Sequence, residues 1–207
     1  MSKSIDYGVY KDIAFSDFVN LLSAIYCALT AYKIHANFYL AVGFGTIAAA
    51  AAAGVLRFGW HPRAFAHLNS FLSQFAAAVG TPMIMLLVTP ASFRPAFLPN
   101  ETVFAALCAI FLAGKAFFSE QGADNSRTAA NVAALALLCY SGVMRQRLLP
   151  LLACAVFVLS TVVVGADRHR YLLGTRRENL FHYGLAASMY LFERCAGDSI
   201  LFGGFVL

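Results

Sequence analysis

Apolar blocks alternate with short polar connections along the chain. The blocks have about the 17–25 residues that an α-helix needs to cross a hydrocarbon layer roughly 30 Å thick. They predict seven candidate transmembrane spans, at 13–32, 38–56, 64–88, 103–118, 128–144, 148–165 and 179–194. The seventh block carries His182 and ends in Glu193-Arg194, so its sequence fits either a transmembrane helix or a helix at the membrane interface.

The same pattern predicts the fold class. Because lipid offers no hydrogen bonds to the backbone, a crossing segment must pair its own amides, as an α-helix does. We therefore expect an all-α fold, a polytopic transmembrane helical bundle of six or seven spans. The expected organisation is a cytoplasmic N-terminal segment at 1–12, the bundle at 13–195 and a short apolar C-terminal tail at 196–207.

A weak internal repeat relates the first and third blocks. At an offset of 50, residues 14, 15, 22, 23 and 28 have the same identities as residues 64, 65, 72, 73 and 78. The second, fourth and sixth blocks each finish on small residues and a glycine. These matches indicate a bundle of repeated helical hairpins, although alanine-rich sequences also align by chance.

Composition supports a lipid environment. Hydrophobic residues make up 60% of the 207 residues and charged residues 12%, and the mean hydropathy is +0.71. Soluble domains are nearer half apolar and a quarter charged. The five cysteines are scattered through the apolar blocks without a CxxC spacing, so neither a disulfide framework nor a metal site is predicted. No cofactor is expected.

The basic residues indicate an orientation. The net charge is +5, but the lysines and arginines lie in short connections rather than on one helix face, so no nucleic-acid partner is expected. Ten of them fall on the N-terminal side of the spans and five on the other, which favours a cytoplasmic N-terminus. The short fifth and sixth spans favour the endoplasmic reticulum or another intracellular membrane.

A basic cluster lies between the sixth and seventh blocks. It consists of Arg168, Arg170, Arg176 and Arg177. On the cytoplasmic side, these guanidinium groups could contact anionic lipid headgroups. Their simpler role is to set the orientation of the chain.

A polar stripe interrupts the third block in the sequence HLNSFLSQ. At about 100° per residue, His67, Ser70 and Gln74 share one helix face, opposite an apolar face. Asp17 and Asn20 occupy the registers of His67 and Ser70 in the first block, and that spacing predicts an Asp17–His67 pair. Together with His182, these residues form a candidate substrate or ion pathway, since ionisable groups within spans are commonly functional.

A structural role explains the same residues. Polar side chains hold transmembrane helices together at about 0.6 kcal/mol per hydrogen bond without any ligand. The small-residue run at 43–54 indicates close helix packing for the same reason. Pro82 within the third block predicts a kink.

These patterns lead to three functional hypotheses. The first is a multi-pass integral membrane protein that acts as a small transporter or channel-like protein with a polar intramembrane site. The second is a non-catalytic subunit or scaffold of a membrane complex. The third is an intramembrane enzyme, which is disfavoured because the HExxH, GxSxG and P-loop motifs are missing from the sequence. The expected partners are the lipid bilayer and either another membrane protein or a second copy of this chain.

Overall fold

The computed structural model of the chain describes residues 8–94, 99–117, 120–165, 167 and 169–201. Within these ranges the chain forms seven helices, one short 3-10 turn at Ala91–Phe93 and one two-stranded hairpin. The helices are α1 (Lys11–Lys33), α2 (Phe38–Gly59), α3 (Pro62–Val88), α4 (Asn100–Phe117), α5 (Glu120–Met144), α6 (Leu148–Val164) and α7 (Arg177–Leu201).

The all-helical fold is confirmed, and five helices are long and apolar enough to cross a membrane. They are α1, α2, α3, α4 and the part of α5 from Asp124–Met144. Helix α6 is apolar but shorter, and α7 has 25 residues of mixed polarity. The count of six or seven spans and the hairpin repeat therefore stay predictions. The tail expected from residue 196 begins as helix, since α7 continues to Leu201, and residues 202–207 lie outside the described part of the chain.

Short connections make successive helices antiparallel. We call the end of the bundle where α1, α3, α5 and α7 begin the polar end, for the residues described below. Local sequence sets two of the boundaries. The side chain of Asn37 accepts a hydrogen bond from Leu40 N at 3.0 Å and caps α2. Pro62 occupies the first turn of α3, where the missing N–H costs nothing.

Helix α3 is irregular where the sequence predicts a kink. Residues Ala76–Gly80 form a π-helical turn directly before Pro82. Proline cannot donate to the preceding turn and its ring crowds the carbonyl there, so the regular ladder is interrupted. The Thr81 hydroxyl donates to Ala76 O at 3.2 Å, a carbonyl that also accepts from the Thr81 backbone N–H.

Helix α6 also ends in a π-helical turn, at Leu159–Val164. Its last carbonyls are capped by a side chain, because the Arg177 guanidinium donates to Val163 O at 2.9 Å and to Val164 O. A cation at a helix C-terminus also interacts favourably with the helix dipole. Arg177 therefore joins the end of α6 to the start of α7.

The hairpin between α6 and α7 was not expected from the sequence. Tyr171–Leu172 pairs antiparallel with Thr175–Arg176. The two turn residues, Leu173 and Gly174, have φ of 52° and 77°. Two successive residues in this region match the two-residue turns that join antiparallel strands, and glycine accommodates the second at little cost.

Apolar packing is concentrated away from the polar end. Most of the largest fully buried apolar side chains come from the far halves of their helices, among them Leu40, Phe44, Met83, Met85, Leu138 and Phe192. These six belong to one contiguous cluster to which α1 contributes small residues. Ile13, near the start of α1, is an exception and packs with Ala14 and Phe58 in a separate small cluster at the polar end. The half of the bundle away from the polar end is a conventional packed core.

Small residues bring α1 and α2 close together, as the run at 43–54 predicts. Ala50, Ala51 and Ala53 are buried, whereas Ala49 is exposed on the same helix. Glycine permits a further close approach, since a side chain at Gly80 of α3 would collide with Thr46 of α2. The small-residue run at 43–54 therefore has one face packed against other helices and one exposed face.

We predict that Ala53→Leu destabilises the protein while Ala49→Leu does not. Ala53 is 3% exposed, so three extra carbons must displace neighbouring atoms, at about 1–3 kcal/mol. Ala49 lies on the exposed face and serves as the matched control. The measurement is the free energy of unfolding in mixed micelles under denaturant titration. Equal effects of the two substitutions would contradict this packing.

Candidate functional site

Helices α1 and α7 bring a carboxyl, an imidazole and a hydroxyl group together at the polar end. Asp17 Oδ1 lies 3.4 Å from His182 Nε2, and Ser16 Oγ lies 2.9 Å from His182 Nδ1. All three residues are buried. In the tautomer with hydrogen on Nε2, the ring donates to Asp17 and accepts from Ser16. The hydroxyl therefore orients the ring toward the carboxyl group.

A glycine in α2 makes room for this carboxyl group. A side chain at Gly54 would collide with both carboxyl oxygens of Asp17. The carboxyl group therefore lies directly against the backbone of α2. The small-residue run serves the site as well as the packing.

Two buried acceptors of α1 lack a partner. Asp17 Oδ2 and Asn20 Oδ1 make no hydrogen bond within the described part of the chain. Both residues are 4% exposed. A buried polar atom without a partner costs about 1–3 kcal/mol, and most such atoms in native proteins are paired.

Both residues face a cavity of about 780 Å³. Its polar wall comprises Asp17, Asn20, Arg57, Asn69, Ser73, Thr81, Asp124, Arg127, Thr128, Asn131, Thr161, Glu178, His182 and Ser188. On α1 and α6 the lining residues lie in the half nearer the polar end, whereas on α2, α3 and α5 the wall passes the middle of the helix, to Ile47, Ile84 and Leu135, and on α7 it extends from Glu178 to Phe192. The cavity therefore begins at the polar end and reaches past the middle of the bundle, and the apolar core lies beyond it.

A buried guanidinium lies on the α2 wall of the cavity. Arg57 Nη1 donates to Asn69 Oδ1 at 3.1 Å, and Asn69 Nδ2 donates to Ala50 O at 3.3 Å. The guanidinium carbon of Arg57 also lies 4.8 Å from the ring centre of Phe58. Arg57 and the buried Glu178 are close enough to act electrostatically on Asp17. The wall thus presents charges of both signs in a confined space, where Coulomb interactions are strong.

Further contacts join the start of α1 to the hairpin. Arg176 Nε lies 2.8 Å from Asp12 Oδ2, which also accepts from Asn179 Nδ2 at 3.2 Å. The Arg176 guanidinium lies over the rings of Tyr10 and Tyr171. These contacts hold the N-terminal turn of α1 beside α7.

The proposed headgroup cluster is only partly at the surface. Arg176 and Arg177 are engaged as described, and Arg170 is a surface residue whose Nε lies 3.3 Å from Asp167 Oδ2. Arg168 lies outside the described residues. Lipid contact by this cluster stays a prediction.

The structure brings three of the six proposed pathway residues together and separates the others. Asp17, Asn20 and His182 line the cavity. Gln74 Nε2 instead donates to Ser70 Oγ at 3.4 Å, and its carbonyl oxygen accepts from the Lys115 ammonium group of α4. His67 is exposed.

The predicted Asp17–His67 pair is wrong, because the imidazole beside Asp17 is that of His182. Helix α3 buries Ala66 and Asn69, whereas His67 lies on an exposed face. The polar face of this helix was broad, and its Asn69–Ser73 edge lines the cavity. Register within two similar helices does not decide which edge turns inward.

Sequence reasoning did not select Ser16, Arg57 or Glu178. Arg57 was counted among the orienting basic residues of the connections, and Glu178 lay in the connection before the seventh block and was given no role. A signal existed for Arg57, since it follows Ala50 and Ala53 at spacings of seven and four. Those spacings place all three on one helix face.

A second acid–imidazole pair lies at the opposite end of the bundle. His35 Nε2 of the α1–α2 connection lies 3.0 Å from Glu193 Oε1 of α7, and both side chains are buried. Among the described residues, no group of three or more His, Cys, Asp or Glu side chains is placed to hold a metal ion. The polar wall of the cavity offers carboxyl, imidazole, guanidinium, amide and hydroxyl groups.

Comparison with protein families, curated proteins and solved structures found no match to this chain. What it does must be inferred from the residues that line the cavity.

We predict that Asp17 and His182 are energetically coupled and that Asp17 and His67 are not. Two double-mutant cycles would combine Asp17→Ala with His182→Ala and, as the control, with His67→Ala. Residues in contact show coupling energies of about 0.5–3 kcal/mol, whereas separated residues add within about 0.5 kcal/mol. The measurement is the free energy of unfolding in mixed micelles. Additive losses for Asp17 and His182 would contradict the contact.

Proposed function

We propose that the chain is a multi-pass integral membrane protein that binds a small solute in this cavity as the first step of carrying it across the membrane. The observation that carries the proposal is the pair of buried, unpartnered acceptors, Asp17 Oδ2 and Asn20 Oδ1, facing a cavity of about 780 Å³. That volume falls within the range of about 300–1,000 Å³ typical of ligand pockets.

The unpartnered acceptors favour a binding role over a purely structural one. Polar residues that only join helices satisfy their hydrogen bonds across the helix contact, as Ser23 Oγ does when it donates to Ala186 O at 2.9 Å. Asp17 and Asn20 instead line the cavity, and each keeps one buried oxygen without a hydrogen bond in the described part of the chain. A ligand that donates hydrogen bonds would recover the energy that these oxygens lack.

The one-sided shape of the cavity favours a carrier over a channel. The cavity begins at the polar end, while Phe44 and Met83 of the apolar cluster lie outside its wall, toward the other end. A carrier exposes its site to one side of the membrane at a time by moving one group of helices against another. The His35–Glu193 pair lies at the closed end, where it would have to rearrange for the site to open there.

The enzyme hypothesis has less support. Ser16, His182 and Asp17 resemble the hydroxyl, imidazole and carboxyl groups of a hydrolase triad. A nucleophile must reach its substrate, however, and Ser16 is fully buried and is not part of the cavity wall. Its hydroxyl also lies 2.9 Å from Ile13 O, which competes with His182 Nδ1 for its single hydrogen.

The exposed apolar surface of the helices also fits the hypothesis that the chain is a subunit of a membrane complex. Large apolar side chains are exposed on several helices, including Leu112, Val143 and Val162. The lipid bilayer would cover them, and so would a partner membrane protein or a second copy of this chain. We also propose that the N-terminus is cytoplasmic, because more basic residues lie on its side of the spans, and that the membrane is intracellular, because the fifth and sixth spans are short.

We expect a cysteine in the cavity to be reachable from both sides of the membrane. Thr161 lines the cavity, so Thr161→Cys would be labelled by a membrane-impermeant maleimide in sealed vesicles of defined orientation. A carrier predicts labelling from the N-terminal side and slower labelling from the other side. The wild-type chain, whose five cysteines are buried or half-buried, provides the background.

Val163→Cys is the matched control for this experiment. Val163 is exposed on the same turn of α6 but is not part of the cavity wall, so an aqueous reagent should label it poorly when it faces lipid. Labelling of residue 161 from one side only, under all conditions, would overturn the carrier. Equal labelling of the two positions would show that the cavity is not water-filled.

A further inference from the structure

The polar side chains of the cavity wall indicate which polar group, here called the head, a ligand would need. Buried oxygens of the wall that make no hydrogen bond in the described part of the chain include Asn131 Oδ1 of α5 and, on α1, Asp17 Oδ2 and Asn20 Oδ1. All are acceptors, and the two residues on α1 are three apart, so they lie on neighbouring parts of one helix face. A group that fits between them must donate at least two hydrogen bonds. A primary ammonium group has three donors and no acceptor.

Charge favours the same head. The wall contains the carboxyl groups of Asp17, Asp124 and Glu178 against the guanidinium groups of Arg57 and Arg127. Both guanidiniums are engaged, since Arg57 binds Asn69 and Arg127 forms an ion pair with Asp124. An added amine would pair with the Asp17 carboxyl group in either protonation state, because the two groups can share the proton.

The remainder of the cavity wall is apolar. It is formed by the side chains of Ile47, Ile84, Leu135, Phe157, Val158, Phe181, Leu185, Met189 and Phe192, among others. A small, fully polar solute would leave this surface against water. A ligand with an apolar chain would bury it, at about 25 cal/mol for each Å² removed from water.

The cavity also has an opening toward the hydrocarbon layer. Helices α5 and α6 pack closely near their connection, where Gly142 lies against Leu151, and they are still in contact at Leu135 and Cys154. Nearer the polar end, Val132 of α5 and Val162 of α6 both line the cavity and are exposed on the outside. Apolar residues that face both the cavity and the outside mark a lateral mouth between the two helices.

We propose that the ligand is a single-chain amphiphile with a primary amine in its head, and that it enters from the membrane between α5 and α6. The proposal rests on the binding function proposed above and names the chemistry of that ligand. The amine lies between Asp17 and Asn20, and the chain follows the apolar wall toward Val132 and Val162. Asp17 lies six residues into α1, about 9 Å along the helix, so the head stays near the membrane surface.

Radiolabelled dodecylamine, in equilibrium binding to the purified full chain in lipid nanodiscs, tests the proposal. Empty nanodiscs correct for partition into lipid. We expect saturable binding that dodecylamine competes for. Dodecyltrimethylammonium has the charge and chain but no N–H donor, and butylamine has the head but little chain, so each should compete at least about tenfold more weakly. Dodecanoate, whose head only accepts hydrogen bonds, should not compete.

Substitutions locate the binding. Asp17→Asn and Asn20→Ala should each weaken dodecylamine binding by about tenfold, the effect of losing one charge-assisted or buried hydrogen bond. Val162→Trp should block the lateral mouth, which is measured as a slower appearance of bound radiolabel after dodecylamine is added. Val163→Trp is its matched control, because Val163 is equally placed at the surface but outside the cavity wall. Val162 is 74% exposed, so this variant tests the proposal even where Asp17→Asn fails to fold.

Two results would overturn the proposal. One is the absence of saturable binding, and the other is binding that dodecyltrimethylammonium matches or that neither Asp17→Asn nor Val162→Trp changes. The labelling of Thr161→Cys separates this outcome from failure of the carrier. Two-sided labelling without amine binding would support the carrier hypothesis but reject the proposed ligand class. Amine binding with one-sided labelling would support the ligand site but reject transport.

Discussion

The carboxyl group of Asp17 is buried inside an apolar bundle, and the polar end is arranged around giving it room and partners. Removing an ionisable group from water costs several kcal/mol unless charge and hydrogen bonds replace the water. Gly54 supplies the room, since any side chain there would occupy the position of the carboxyl oxygens. His182 supplies a partner for one oxygen, and the other oxygen makes no hydrogen bond in the described part of the chain.

That arrangement depends on how α7 is held. Arg177 binds the last carbonyls of α6, and Arg176 binds Asp12 at the start of α1. Adjacent arginines thereby join the start of α7 to two other helices, so the imidazole one turn further along meets α1 rather than α3. The hairpin that precedes them sets the path of the chain into α7. A connection that reads as a simple basic loop is thus part of the support for the site.

The two halves of the bundle divide stability and chemistry between them. Large apolar side chains fill the half away from the polar end, and small residues let α1, α2 and α3 approach closely. The cavity half has fewer buried apolar groups and more side-chain hydrogen bonds. A dense core next to a hollow, charged region permits unpartnered polar atoms to persist, because their cost is spread over a fold that is stable elsewhere.

The sequence by itself determined the helices and most of the polar residue types of the site. Apolar blocks of membrane-spanning length predicted the helices, because hydrocarbon thickness and backbone pairing leave few alternatives. Most ends agree within three residues, but α5 begins eight residues earlier and α7 ends seven residues later than predicted. Asp17, Asn20 and His182 were recognisable because ionisable and amide groups are costly within such blocks. The irregular turn at Pro82 followed from the missing N–H of proline.

Only the tertiary structure decided which of these residues meet. A helical wheel defines a polar face, but it does not define the neighbour that covers each edge, so His67 and His182 were equivalent candidates for Asp17. Rotation of α3 by less than half a turn separates an edge with Asn69 at the cavity from an edge with Gln74 beside Lys115. That rotation is set by close contacts such as Gly80 against Thr46, and these depend on residues far apart in the chain.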